Sequence, residues 1–241
     1  MSAVHLRSWS MSHPGMKRKH NEDAYVDRPD LGVWAVADGA GGHHAGEVAS
    51  GMIRESLEAI PPGLSASELL SEVRTRIEAT HEALRAEALR RGPDVIIAST
   101  VVVMLARNEH FACLWAGDSR AYLLRDGTLQ QITRDHSLVQ ELVESGMIRP
   151  EEAENHPRAN VITRAVGAEL EDFALDKVSG RIQAGDRFLL CSDGLNKTLP
   201  DDQLASLLAA NEGVPPPQSL IAAALAHNVS DNVTAVAVDA G

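Results

Sequence analysis

Four apolar, strand-like runs in this chain each adjoin an aspartate set beside Gly, Ser or Asn. The aspartates are Asp38 in AVADGAGG, Asp118 in LWAGDSR, Asp193 in LLCSDGL and Asp231 in SDNVTAVAV. A fifth acidic pair, Glu22-Asp23, lies in RKHNEDAY just before another strand. Short apolar runs bounded by turn residues read as buried strands. One strand-end aspartate followed by glycine is an ordinary turn former and carries little information. The group constrains the fold more. If these strands pack side by side, their carboxylates converge at one end of the sheets. Close carboxylates repel and burial raises the cost, so either they bind protons or a cation neutralises them.

The rest of the pattern says what surrounds the strands. From Ala45 to Ile60 the residues Val48, Met52, Ile53, Leu57 and Ile60 recur at helical spacing, and Pro61-Pro62-Gly63 ends that helix. A second helix is predicted from about Ser67 to Arg91, closed by Gly92-Pro93. Strand-rich stretches follow at Val95 to Leu105, Phe111 to Ala116, Ala121 to Arg125 and Leu129 to Thr133. Asp126-Gly127 marks a hairpin between the last two. Ser137 to Gly146 reads as a short helix. Met147 to Asn160 is polar, with Pro150 and Pro157, and reads as a flap with little core of its own. Strands are predicted again at Phe173 to Val178, Arg187 to Ser192 and Val233 to Val238. Helices at about Asp201 to Ala210 and Pro217 to His227 precede the last of these. Strand runs and helix pairs segregate, which points to an α+β layered fold.

Composition narrows the function classes. A chain of 241 residues, 44% hydrophobic and 23% charged, has the balance of a soluble globular protein with room for one large core. Aromatics are only 3% and net charge is −12, so neither base stacking nor a basic phosphate-binding face is available for nucleic acid. Cys113 and Cys191 lie in separate apolar runs and form no CxxC pair, which argues against a disulfide framework or a thiolate zinc site. The N-terminal stretch lacks an apolar leader core, and no apolar run reaches the ~18 residues that span a bilayer. A cytoplasmic location is therefore expected. Oxygen-only ligands suit hard cations such as Mg²⁺ or Mn²⁺. The Asp38-Gly39 turn also lets a backbone carbonyl reach a metal. Two such ions about 4 Å apart can share a water, lower its pKa and aim it at phosphorus.

These stretches resemble the PPM family, the type 2C metal-dependent protein phosphatases, in its bacterial form. The matching segments are Arg18 to Ala24, Val36 to His43, Gly117-Asp118-Ser119-Arg120, Cys191 to Leu195 and Ser230 to Thr234, in the family's order across nearly the whole chain. Asp135-His136-Ser137 through Asn160 to Arg164 looks like the bacterial flap, giving one domain over 1–241 with a flap at about 136–165. The resemblance implies a four-layer α-β-β-α sandwich with two central antiparallel sheets. It implies that Asp38 bridges two core Mn²⁺ or Mg²⁺ ions, that Gly39 adds its carbonyl, and that Asp193 and Asp231 complete the second site. Glu22 acts through metal-bound water, Asp118 and Asp193 hold a looser third ion, and Arg18 clamps the substrate phosphate. A guanidinium suits that last role because it meets phosphate oxygens bidentately.

The same resemblance implies hydrolysis of phosphoserine and phosphothreonine by direct water attack, opposing a bacterial Ser/Thr kinase. A stand-alone monomer acting on phosphoproteins is expected, similar to the phosphatases encoded beside kinases, including those tied to type VI secretion. Eukaryotic relatives place a histidine directly after the Asp-Gly pair, where this chain has Ala40. The leaving-group proton is then assigned to a water on the third ion near Asp118. Asp23 reads as structural support, while Asn232 either orients Asp231 or caps its turn. His43 and His44 read as structural or surface residues. Arg120 either counters carboxylates or is a surface residue, and Lys17 and Lys19 either steer phosphoprotein or are simply solvated. Two alternatives are a phosphoprotein-binding pseudophosphatase and a structural cation-binding domain. The complete aspartate set opposes the first, and Arg18 opposes the second.

Overall fold

The computed structural model describes residues 5–41, 44–153, 155–168, 173–210 and 213–241. Its centre is two antiparallel sheets packed face to face. One has the order β1 (Leu6–His13), β11 (Val233–Ala240), β10 (Arg187–Cys191), β7 (Arg120–Arg125) and β8 (Thr128–Gln131). The other runs β2 (Asp23–Arg28), β3 (Val33–Ala40), β5 (Val101–Arg107), β6 (His110–Ala116) and β9 (Asp176–Arg181), with β4 (Ala98–Ser99) pairing β3.

The apolar runs are continuous because the inner strands are buried on both faces. Along β3, Trp34 and Val36 face the other sheet, while Val33, Ala35 and Ala37 face helices. β5 repeats this with Val102 and Met104 inward and Val101, Val103 and Leu105 outward. β10 and β11 do the same in the second sheet, with Phe188, Leu190, Val236 and Val238 inward and Leu189, Cys191, Ala235 and Ala237 outward. The period of two splits each run between two cores. Helices α1 (Ala45–Glu58) and α2 (Ala66–Arg91) cover the first outer face. On the other, α5 (Asp193–Asn196), α6 (Asp201–Ala209) and α7 (Pro216–Ala226) seat Leu195, Leu204, Leu208 and Leu220. The result is the α-β-β-α sandwich.

The helix ends follow their chemistry. α2 opens on a capping box, in which Glu68 N–H donates to Ser65 Oγ at 3.3 Å and Ser65 N–H donates to Glu68 Oε2 at 2.8 Å. It buries Leu69, Val73, Ile77 and Leu84 along one face. Among the described residues between β8 and β9 lie two short helices, α3 (Leu138–Glu144) and α4 (Pro150–Ala153), and neither buries a residue. Among the described residues no helix is long and apolar enough to cross a membrane.

The structure departs from the sequence reading in three places. β1 was not anticipated; it is an edge strand rich in Ser and pairs only with β11, so apolar alternation does not mark it. The strand expected at Phe173 to Val178 begins at Asp176. Phe173 instead stacks on His81, ring centroids 4.2 Å apart, and packs with Leu175 against the helix-side core. The stretch from Val95 to Leu105 is broken at Thr100, whose N–H and hydroxyl are both used on Asp38.

Trp34 is the largest fully buried side chain between the sheets. Trp34→Ala is expected to destabilise the protein by about 3–5 kcal/mol, read from the urea midpoint. Leu89→Ala, at a residue 76% exposed on α2, is expected to stay within about 0.5 kcal/mol.

Candidate active site

Strand register gathers the acidic residues. In one sheet β10 ends just before Asp193, β11 begins just after Asp231 and β7 begins just after Asp118. Cys191 pairs with both Ala235 and Arg120, so these three ends lie side by side. In the other sheet Asp23 pairs with Asp38. Where the sheets open, a cleft of about 490 Å³ is lined by Arg18, Glu22, Asp38, Gly39, Asp193 and Asp231. Asp118 instead lines a neighbouring cavity of about 340 Å³, beside Arg120 and Asp135. Lys197 and Asn160 line both cavities and form the wall between them.

The backbone around Asp38 is fixed from several sides. Its N–H donates to Thr100 Oγ1 at 3.1 Å, and its carbonyl accepts from Thr100 N–H at 2.8 Å and from Ser99 Oγ at 3.0 Å. Thr100 Oγ1 also meets Ser119 Oγ at 2.7 Å, joining the Asp38 strand to the residue after Asp118. The glycines in the two Asp-Gly pairs are there for close approach. A Cβ on Gly39 would lie 2.0 Å from the Gly46 carbonyl in the first turn of α1, and one on Gly194 would lie 2.0 Å from the Asn232 carbonyl. The glycines allow each aspartate's backbone to press against the neighbouring segment.

Asn232 holds the loop that carries Arg18 and Glu22. Its Nδ2 donates to the Pro14 carbonyl at 3.0 Å and the His20 carbonyl at 2.9 Å, and its Oδ1 accepts from Glu22 N–H at 2.8 Å. It touches Asp231 through its own backbone N–H, which donates to Oδ1 at 2.9 Å. The side chain therefore organises the loop and does not orient Asp231. Asp23 lies across the two sheets, accepting from Ser192 Oγ and Thr234 Oγ1, each at 2.7 Å.

The cluster is electrostatically unfavourable without cations. Burial holds the Asp38 carboxyl well above the usual carboxylate range, and Asp23, Asp193 and Asp118 add to the shift. Burial pushes Asp23 up to about 7 against its two hydroxyl partners. Asp118 rises to about 6 through burial and Asp193, with Lys197 pulling the other way. Asp118 Oδ1 is buried without a partner. Asp193 presses on the Asp38 carboxyl, and like charges brought together this way favour a bound proton or a cation. An all-oxygen set with this excess of negative charge fits hard divalent ions.

Positive groups stand at the edge. Arg18 Nη2 donates to Asp231 Oδ2 at 2.9 Å, with the Arg18 side chain 54% exposed at the cleft mouth. Arg120 is not a surface residue: it pairs with Asp135 at 2.8 Å and donates to the Tyr122 hydroxyl at 3.0 Å. His44 caps α1 in left-handed backbone at φ 64 and forms an exposed group at the rim with His20 and Glu47. His43 lies outside the described residues.

Lys197, Asn160 and the Thr100–Ser119 pair were not anticipated from sequence. The one available signal was the spacing of Lys197 four residues after Asp193, which puts both on one face of a helix.

A two-sheet sandwich opening onto a ring of carboxylates, with an arginine at the mouth, has the form of the PPM class of metal-dependent phosphatases. The sequence model described as Protein phosphatase 2C matches residues 16–214, and the chain belongs to that family. It is 38% identical over 236 residues to the serine/threonine protein phosphatase PstP of Mycobacterium tuberculosis, covering 97% of this chain and 45% of PstP. The chain thus spans less than half the length of that relative. Among solved structures, PppA, a key regulatory component of T6SS in Pseudomonas aeruginosa, superposes with a TM-score of 0.91 at 44% identity over 100% of both chains. The catalytic domain of PstP in complex with 2 manganese ions superposes with a TM-score of 0.87 at 35% identity over 99% of each.

Asn232→Ala removes two donors and one acceptor from a buried position. It is expected to cost about 1–3 kcal/mol in urea unfolding and to speed amide exchange across residues 14–22.

Proposed function

We propose that this chain hydrolyses phosphoserine and phosphothreonine in proteins, using water as nucleophile and two Mn²⁺ or Mg²⁺ ions. The observation that carries this reading is the convergence of Glu22, Asp38, Asp193 and Asp231 in one cleft beneath Arg18. Asp38 and the Gly39 carbonyl, with Asp193, Asp231 and Glu22, would hold the ions. When bound, the ions supply an activated water and offset charge on the phosphoryl oxygens.

The chain's own residues do the rest. Asp231, which pairs with Arg18 here, would also help hold an ion. Arg18, exposed at the mouth, would offer its fork of donors to a phosphate there. The exposed Lys17 and Lys19 flank it and offset the charge of an approaching phosphopeptide on a chain whose net charge is −12. Residue 40 is Ala and supplies no proton, so the alcohol leaving group takes its proton from water in the cleft. Residues 136–165 act as the flap of a single phosphatase domain, beside the cleft through Asn160. The kinship with PstP supports a place opposite a Ser/Thr kinase. The full-length match to PppA supports regulation of type VI secretion as the setting.

The test is phosphate release from a phosphothreonine peptide with Mn²⁺, with Mg²⁺ and with EDTA. Metal-dependent release is expected. EDTA should abolish it, and Asp38→Ala should lower it by roughly a hundredfold or more. Absence of release with either metal would overturn the reading. Saturating Mn²⁺ at about 100 times its Kd should also stabilise the fold by about 2.7 kcal/mol for each ion bound, seen as a raised Tm that Asp38→Ala loses.

A further inference from the structure

Asp118 and Asp193 are the carboxylates to which the resemblance gives a third ion. In the structure a side chain stands between them. Lys197 Nζ lies 2.7 Å from Asp193 Oδ2 and 3.2 Å from Asp118 Oδ2. It also donates to Asn160 Oδ1 at 3.0 Å. A small hard cation bound to both carboxylates would sit about 2.1 Å from each oxygen. The ammonium occupies the space between the two carboxylates that such an ion would need, and two cations do not share it.

The placement is built into the fold. Lys197 follows α5, four residues after Asp193, so one helical turn aims both side chains to the same side. The Asp118 side chain is only 4% exposed and needs a positive neighbour. Arg120, the nearest guanidinium along the chain, is committed to Asp135 through three hydrogen bonds. The third contact, Asn160, belongs to the flap. A bridge between Ser137 and Ile162 closes that segment on itself, Val166 just beyond it pairs with Ser99, and the Lys197 contact adds a side-chain tie at the cleft.

We propose that Lys197 is the resident cation of the Asp118–Asp193 corner, standing in place of a third metal ion and tying the flap to the active-site cleft through Asn160. This rests on the reading that the main cleft holds two divalent ions. Lys197 is a positioning residue: it fixes Asp193 from the wall between the two cavities and holds Asn160 against that wall. Unlike an exchangeable ion, it is present at any metal concentration, so binding should show two tight sites and no weak third one.

The test counts manganese on the metal-free full chain, titrated by equilibrium dialysis with metal analysis, alongside amide exchange over residues 155–168. Wild type is expected to bind two ions. Lys197→Ala should bind a third, lost again in the Asp118→Ala, Lys197→Ala double variant, and should exchange faster across 155–168. Lys197→Gln, which keeps most of the length without the charge, should show the faster exchange if Lys197→Ala does not fold. Three ions on wild type would overturn the proposal without any variant, and so would a Lys197→Ala count that stays at two. Either of those results leaves the phosphatase reading standing if the peptide is hydrolysed. No manganese on wild type would overturn both.

Discussion

Carboxylates at the mouth of the sandwich repel one another, and the surrounding structure is arranged to tolerate that repulsion. Asp38 is pushed towards its protonated form by burial and then by Asp23, Asp193 and Asp118. Asp118 is pushed the same way by burial and Asp193. At about 4 Å and an effective dielectric near 20, one pair of like charges costs roughly 4 kcal/mol. Several such pairs would rival the net stability of a domain. The opposite end of the same strands shows the contrast. There Asp186 is just as buried but is met by Arg125 at 2.6 and 2.7 Å. At that end the buried carboxylate is met by an arginine. In the cleft Asp38 faces Asp23, Asp193 and Asp118 and suits cations from outside.

The sandwich can carry that burden because the apolar material lies elsewhere. Three cores stack through the molecule: helices on sheet, sheet on sheet, and sheet on helices. The aspartates sit only at strand ends, so none of these layers has to accommodate a charge. Hydroxyl groups tie the sheets together where the carboxylates loosen them. Ser192 and Thr234 reach across to Asp23, and Ser8 and Ser10 reach across to Asp27 at 2.6 and 3.0 Å. These bonds fix the spacing of the two sheets, and with it the width of the cleft.

Charge also divides the site. Lys197 and Asn160 separate the cavity holding Asp38 from the one holding Asp118. Two carboxylates that look equivalent in sequence therefore meet different counter-charges. Asp231 faces an exposed arginine at the entrance, a partner easily exchanged for solvent, phosphate or metal. Asp118, itself only 4% exposed, faces the Lys197 ammonium.

Much of this was legible in the sequence, because apolar runs ending in Asp-Gly are local signals. The strand-end aspartates, both long helices and the layered α+β class all follow from periodicity and turn chemistry within a few residues. β1 was not legible, since an edge strand needs little apolar alternation and is fixed by pairing with β11 more than two hundred residues away. Nor was the shift of β9, where Phe173 leaves the strand to fill a gap beside His81. Lys197, one of four lysines, carried no assigned role until the fold brought Asp118 and Asn160 to it from 79 and 37 residues away. The sequence by itself determined which carboxylates end the strands and that something positive must meet them. Only the tertiary structure decided which positive group meets which carboxylate. Electrostatic pairing depends on distance and burial in space, and neither is set until distant segments pack together.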